Sequence, residues 1–131
     1  LAEHPEDALL RVFYWSLILL REGGSSLPLE WRFLWKWLHL WGRAPDLWRC
    51  EGCGRSLLET EAYAERKGSG FFCSSCGKSG KNLEEALAVL QELRKAVMLS
   101  RSDFRNCSFI LAPLQWEERI ASLKELLGDR I

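Results

Sequence analysis

Cys50-Glu-Gly-Cys53 and Cys73-Ser-Ser-Cys76 are separated by nineteen residues, giving C-x2-C-x19-C-x2-C. Two chelating pairs at this separation can put four thiolates at the corners of a tetrahedron, about 2.3 Å from one Zn²⁺. Each pair is followed by glycine, Gly54 and Gly77. Glycine suits the tight turn that swings backbone amides towards the sulfurs. Four cysteine ligands close the coordination shell, so the expected ion is a single structural Zn²⁺ held by Cys50, Cys53, Cys73 and Cys76. Such a site contributes roughly 10 kcal/mol of apparent binding energy to folding, depending on pH, and chelation is expected to unfold at least residues 47–78.

Other readings of these cysteines fit less well. A disulfide framework goes with secretion. Leu1-Ala-Glu-His-Pro carries no basic n-region, so no signal peptide is expected. A thioredoxin-like C-x-x-C needs a βαβ context that neither pair has. A rubredoxin-like iron site shares the four-thiolate geometry, and spacing does not separate it from zinc. His4-Pro-Glu6 matches the H-x-E of zinc deaminases, but neither cysteine pair has the proline that signature requires. His39 reads as a surface or packing histidine and Cys107 as a small buried hydrophobe. No nucleophilic triad and no phosphate-binding glycine loop is present, so no enzymatic activity is expected.

Outward from the cysteines, the chain reads as helices. Pro5-Glu-Asp-Ala opens the first, with proline in its first turn and acids at the positive end of the dipole. It is expected to run to about Glu22 and stop at Gly23-Gly24. Its apolar residues lie almost all round, from Leu9 to Leu20, as in the central helix of a bundle. Ser25-Ser26-Leu27-Pro28 starts a second helix that ends before Gly42. There Trp31, Leu34, Trp35, Leu38 and Trp41 form the core stripe, and Phe33, Trp37 and Leu40 widen it. Arg32, Lys36 and His39 occupy the remaining side.

Between the cysteine pairs, 61–65 alternates like a strand, 67–70 reads as a turn, and Phe71-Phe72 returns towards Cys73, which makes a β-hairpin. Residues 74–81 read as a polar loop. Asn82-Leu-Glu-Glu85 resembles a capping box for a helix to about Met98, with Leu83, Ala86, Leu87, Leu90 and Val97 as its inward stripe, Leu93 nearby, and Arg94 and Lys95 at its cation-favouring end. Residues 100–112 read as irregular, with Phe104, Phe109, Ile110 and Leu111 packing. A last helix starts near Pro113 and buries Trp116, Ile120, Leu123 and Leu127. The expected fold is therefore mainly α, a helical bundle with an inserted zinc-binding β-hairpin module built on four cysteines. The expected divisions are 1–44 and 81–131 for the two parts of the helical domain, and 45–80 for the zinc module.

Eighteen basic and eighteen acidic residues cancel. Four thiolates and one Zn²⁺ would take the loaded chain to about −2. Such a balance gives no electrostatic reach for nucleic acid. The longest apolar run, Val12 to Leu20, is too short to cross a bilayer, so no membrane role is expected. Of seven tryptophans, four lie between Trp31 and Trp41. Aromatic surface beside Arg32 and Lys36 suits an apolar, acidic peptide. The chain does not begin with Met and reads as a fragment or a processed form.

The run from Arg32 through Leu38, Gly42, Pro45 and Leu47 to Cys50-Glu-Gly-Cys53-Gly54, with Cys73 and Cys76 beyond it, resembles the RecO family of bacterial recombination mediators. The resemblance covers most of residues 5–128, specific from about 31 to 76 and diffuse elsewhere. It implies a helical domain and a zinc module beside an N-terminal OB-fold that binds DNA, of which residues 1–131 contain no counterpart. It also implies strand annealing by the full-length protein and, with RecR, loading of RecA onto DNA coated by single-strand-binding protein (SSB). DNA contact is then expected mainly through the OB-fold, and location in the bacterial cytoplasm, associated with the nucleoid. The acidic, Phe-ending SSB tail is expected near the Trp-rich helix, with Arg32 and Lys36 pairing its carboxylates. The alternative is a zinc-ribbon assembly module of an unrelated complex.

Overall fold

The computed structural model describes residues 4–23, 26–57, 64–65, 70–76 and 83–128. Five helices lie among them: α1 (Pro5–Arg21), α2 (Ser26–Leu40), α3 (Leu83–Met98), α4 (Arg101–Asn106) and α5 (Pro113–Gly128). Two short strands, β1 (Ala64–Glu65) and β2 (Phe71–Phe72), pair antiparallel with Ala64 opposite Phe72. The chain divides into two compact units, Leu1–Ala44 with Ala96–Ile131, and Pro45–Lys95. The division falls inside α3, after Lys95, so most of that helix groups with the cysteine module; the sequence reading ends the module at residue 80.

In the first unit α1, not α2, was the expected centre, and the structure reverses this. α2 packs against both α1 and α5 and buries Leu29, Trp31, Leu34, Trp35 and Leu38. α1 buries Ser16 and Leu19 but exposes Leu10, Phe13, Tyr14, Leu17 and Leu20. Apolar content all round a helix reports what it can bury, whereas the number of neighbouring helices decides what it does bury. The buried Ser16 is satisfied locally, its hydroxyl donating to the Val12 carbonyl at 2.9 Å.

The start of α1 has a cap that its sequence pattern does not announce. His4 precedes Pro5, and its Nδ1 accepts from the Glu6 amide at 3.3 Å. α2 ends in a Schellman turn, with Gly42 N–H donating to His39 O and Arg43 N–H to Leu38 O. Gly42 takes φ +72°, the left-handed conformation this turn requires. Because the helix stops at Leu40, Trp41 leaves the stripe and is 52% exposed, against expectation.

Residues 100–112 are not wholly irregular. Ser100 caps α4, its hydroxyl accepting from the Asp103 amide and donating to the Asp103 carboxylate at 2.7 Å. Phe104 is buried, while Ile110 is 79% exposed rather than buried. Cys107 is half-buried, its thiol donating to the Ser108 carbonyl at 3.5 Å. α5 starts at Pro113, and Gln115 reaches back to accept the Ala112 amide at 2.9 Å. Trp116, Ile120 and Leu123 form its buried face.

An aromatic chain runs through this unit. Trp15 meets Phe104 at 5.5 Å between centroids, Phe104 meets Phe109 at 5.0 Å, and Phe109 meets Trp116 at 5.6 Å. Trp116 then meets Trp31 at 6.2 Å, and Trp31 meets Trp35 at 6.3 Å. Offset and edge contacts of this kind add about 0.5–1.5 kcal/mol each beyond area burial. The ion pairs Arg105–Glu22 and Lys124–Glu30 are exposed and contribute little.

In the second unit, residues 48–57 form a tight hairpin. Leu57 N–H donates to Trp48 O, and Cys50 N–H to Arg55 O, both at 2.8 Å. Asp46 fixes its entry, one carboxylate oxygen accepting the amides of Trp48 and Arg49. The Glu51 amide then donates to the Phe71 carbonyl at 3.0 Å, which joins the hairpin to β2. Leu47, Leu57, Phe71, Phe72, Val89, Leu90 and Leu93 are buried. Val89 is an addition to the stripe expected for α3. The expected contributions of Gly24, Ser25, residues 61–63 and 66–69, Gly77, the rest of the loop to Lys81, the Asn82 cap, and the side chains of Leu83 and Ala86 lie outside the described residues.

Candidate metal centre and a basic groove

The hairpin 48–57 carries Cys50 and Cys53 at its tip, and Cys73 follows β2 directly. The Glu51 N–H bond to the Phe71 carbonyl holds β2 against the hairpin and so brings the second cysteine pair beside the first. The four Sγ atoms all lie within 4.8 Å of one another. Cys53 Sγ and Cys73 Sγ are 3.8 Å apart. A tetrahedron with arms of about 2.3 Å has an edge of about 3.8 Å, so this spacing suits a four-thiolate metal site. Cys50 and Cys73 are buried, Cys76 is half-buried and Cys53 is exposed.

The backbone prepares Cys50 as a thiolate. Gly52 N–H and Cys73 N–H each donate to its sulfur at 3.3 Å. Burial by itself pushes this thiol up, but the amides of Cys73, Cys53 and Gly52 outweigh it and hold it down at about 6. Gly54, with φ +76°, lets the chain turn back so that its own amide reaches the Cys50 carbonyl at 2.9 Å. Cys76 shows the opposite shift. Hydrogen bonds with the neighbouring sulfurs, Cys73 first, push it up to about 12. Four adjacent sulfurs cannot all carry negative charge without a cation, and a divalent metal supplies that compensation.

Arg32 and Lys36, the residues expected to meet a partner, lie together in the helical unit. They line a groove of about 360 Å³ between α1 and α2. α1 contributes Arg11, Val12 and Trp15, and α2 adds His39 and Leu40. Among the described residues that line it, four are basic and none is acidic. Arg32 is also part of the wall: its guanidinium carbon lies 4.4 Å from the Trp15 ring centroid, and its Nη1 donates to the Ala96 carbonyl. Burial holds Arg32 down at about 10. Lys36 is lowered by burial and then by the charge of Arg32, and its Nζ stands 5.4 Å from the Trp35 ring centroid.

The sequence reading did not include Arg11 and Trp15 in this site. Both lie on α1, and nothing in the α2 pattern indicates which face of α1 meets it. His39 stacks on Trp35 at 4.8 Å and an interplanar angle of 10°, in keeping with a surface or packing role. His4 and Glu6 are engaged in the α1 cap. Arg94, read only as a favourable charge near a helix end, donates to two carbonyls of the cysteine hairpin's flanks.

The model of the family described as recombination protein O C terminal matches residues 1–119 of the chain. No curated protein and no solved structure gives a match. Among the described residues, no helix is long and apolar enough to cross a membrane.

Proposed function

The chain belongs to the recombination protein O C-terminal family, a family of DNA repair and recombination, and from that premise we propose that it is the partner-binding part of a RecO mediator. It acts by binding rather than by catalysis. The α1–α2 groove receives the acidic, aromatic-ended tail of single-strand-binding protein. RecR and RecA act in the same pathway, and DNA is contacted mainly through an OB-fold outside residues 1–131. The four cysteines hold one structural Zn²⁺ that folds the hairpin. Such a protein works in the bacterial cytoplasm, at the nucleoid.

The observation that carries this reading is the composition of the groove: an apolar floor of Val12, Trp15 and Leu40 edged by Arg11, Arg32, Lys36 and His39. About 360 Å³ is the size of a pocket for one large side chain and its neighbours. Lys36, whose ammonium is lowered by burial and then by the charge of Arg32, gains when an anion enters beside it.

The test is a titration of a fluorescent SSB tail peptide. Saturable binding is expected, weakened at least about tenfold (~1.4 kcal/mol) by Lys36→Glu and more weakly by raised salt. Lys36→Glu is a cleaner probe than Arg32→Ala, because Arg32 also holds the wall of the groove. Absence of binding by the wild-type chain, or indifference to Lys36→Glu, rejects the assignment.

A further inference from the structure

Arg94 lies on α3, opposite the base of the cysteine hairpin. Its Nε donates to the Leu47 carbonyl at 2.7 Å and its Nη2 to the Leu57 carbonyl at 3.2 Å. Leu47 and Leu57 flank the point where the hairpin closes, marked by the Leu57 N–H bond to Trp48 O, and both are buried. One guanidinium thus spans the two arms whose other end carries Cys50 and Cys53. Neither carbonyl serves the pairing of those arms, which runs from Leu57 N–H to Trp48 O and from Cys50 N–H to Arg55 O.

We propose that Arg94 is a positioning residue of the metal centre, coupling occupancy of the four-cysteine site to docking of α3 on the hairpin. The physical basis is geometric. The separation of the two hairpin arms at the base governs the angle at which Cys50 and Cys53 present their sulfurs at the tip. A planar fork with several fixed donors can hold both carbonyls at once, whereas an ammonium group on a flexible stem cannot hold the same spacing. Buried carbonyls left without donors cost free energy, so α3 and the arms favour the same arrangement. A metal that fixes the tip therefore favours the base that Arg94 grips, and the reverse also holds. This rests on the reading that the cysteines bind a metal.

The experiment uses the whole chain loaded with Co²⁺, whose thiolate charge-transfer and ligand-field bands report the coordination, and then competed with Zn²⁺. Wild type, Arg94→Lys and Arg94→Ala are compared, with far-UV circular dichroism as the folding control. Co²⁺ and Zn²⁺ affinities of both variants are expected to fall about tenfold, the lower end of the effect of outer-shell changes, with Arg94→Lys failing to restore them. Folded Arg94→Lys binding metal as tightly as wild type, even with a lowered urea midpoint, makes Arg94 merely structural and overturns the proposal. A wild-type chain that gives no four-thiolate Co²⁺ spectrum removes the metal reading itself.

Hydrogen exchange on the wild-type chain keeps the test decisive if the variants fail to fold. Metal removal is expected to strip protection from Val89–Leu93 while leaving Trp31–Leu38 protected. Unchanged protection of Val89–Leu93 in the metal-free chain overturns the coupling.

Discussion

The guanidinium of Arg32 lies over the indole of Trp15, 4.4 Å from its centroid, and so joins α2 to α1 from inside the groove. Its Nη1 also reaches the Ala96 carbonyl, and its Nε is buried without a partner among the described residues. A residue expected to meet a partner is thus first a tie within the helical unit.

Arg32→Ala is accordingly expected to destabilise the helical unit by about 2–3 kcal/mol. The lost stacking accounts for about 0.5–2 of this and the stranded Ala96 carbonyl for the rest. Urea unfolding followed by tryptophan fluorescence measures it. A midpoint equal to wild type would show that the tie carries no energy.

Trp116 sits between Trp31 and Phe109 and is 2% exposed. Trp116→Ala should cost about 3–5 kcal/mol, a large share of the ~5–15 kcal/mol that holds a typical domain folded, and urea unfolding measures it as a lowered midpoint. Leu10→Ala, on the exposed face of α1, should change stability by less than about 0.5 kcal/mol. A large loss from Leu10→Ala would mean that α1 is covered after all.

At Gly42 an added Cβ meets nothing within 4 Å, so the cost of Gly42→Ala comes from the backbone alone. At φ +72° that cost is about 1–2 kcal/mol. Thermal unfolding should register it as a lowered midpoint. An unchanged midpoint would indicate that the turn re-forms without a left-handed residue.

Metal affinity should depend on pH in two regimes. The Cys76 thiol is pushed up to about 12, so metal must displace its proton throughout the neutral range. The Cys50 thiol is held at about 6, so above that value it is already a thiolate and releases no proton on binding. As pH falls through about 6, Cys50 takes up a proton that the metal must then expel. The slope of log apparent affinity against pH should therefore increase by about one unit below about pH 6. Chelator competition from about pH 5 to about pH 8 measures this, and a constant slope through that range would contradict it.

Periodicity makes α2 and α5 legible, because their burial follows spacing and both meet neighbours along that stripe. The extent of α3 is equally plain. The α4 helix escapes a reading by period although Ser100-Arg-Ser-Asp103 is a capping signature, because six residues are too few to show a helical repeat. The cysteine spacing by itself identifies the candidate metal site. It leaves the unequal protonation of Cys50 and Cys76 unseen, since that depends on which amides and sulfurs surround each one.

What the sequence determined by itself was chemistry tied to spacing along the chain: four thiols in chelating pairs, helices with apolar stripes, and a family. Tertiary structure alone decided which of two apolar helices became the centre, since that depends on how many neighbours each meets. It also decided that Arg11 and Trp15 of α1 join Arg32 and Lys36 of α2 around one groove. The link of Arg94 to carbonyls 47 and 37 residues earlier has the same origin. Such contacts arise from side chains meeting backbone far away in sequence, and no local period records them.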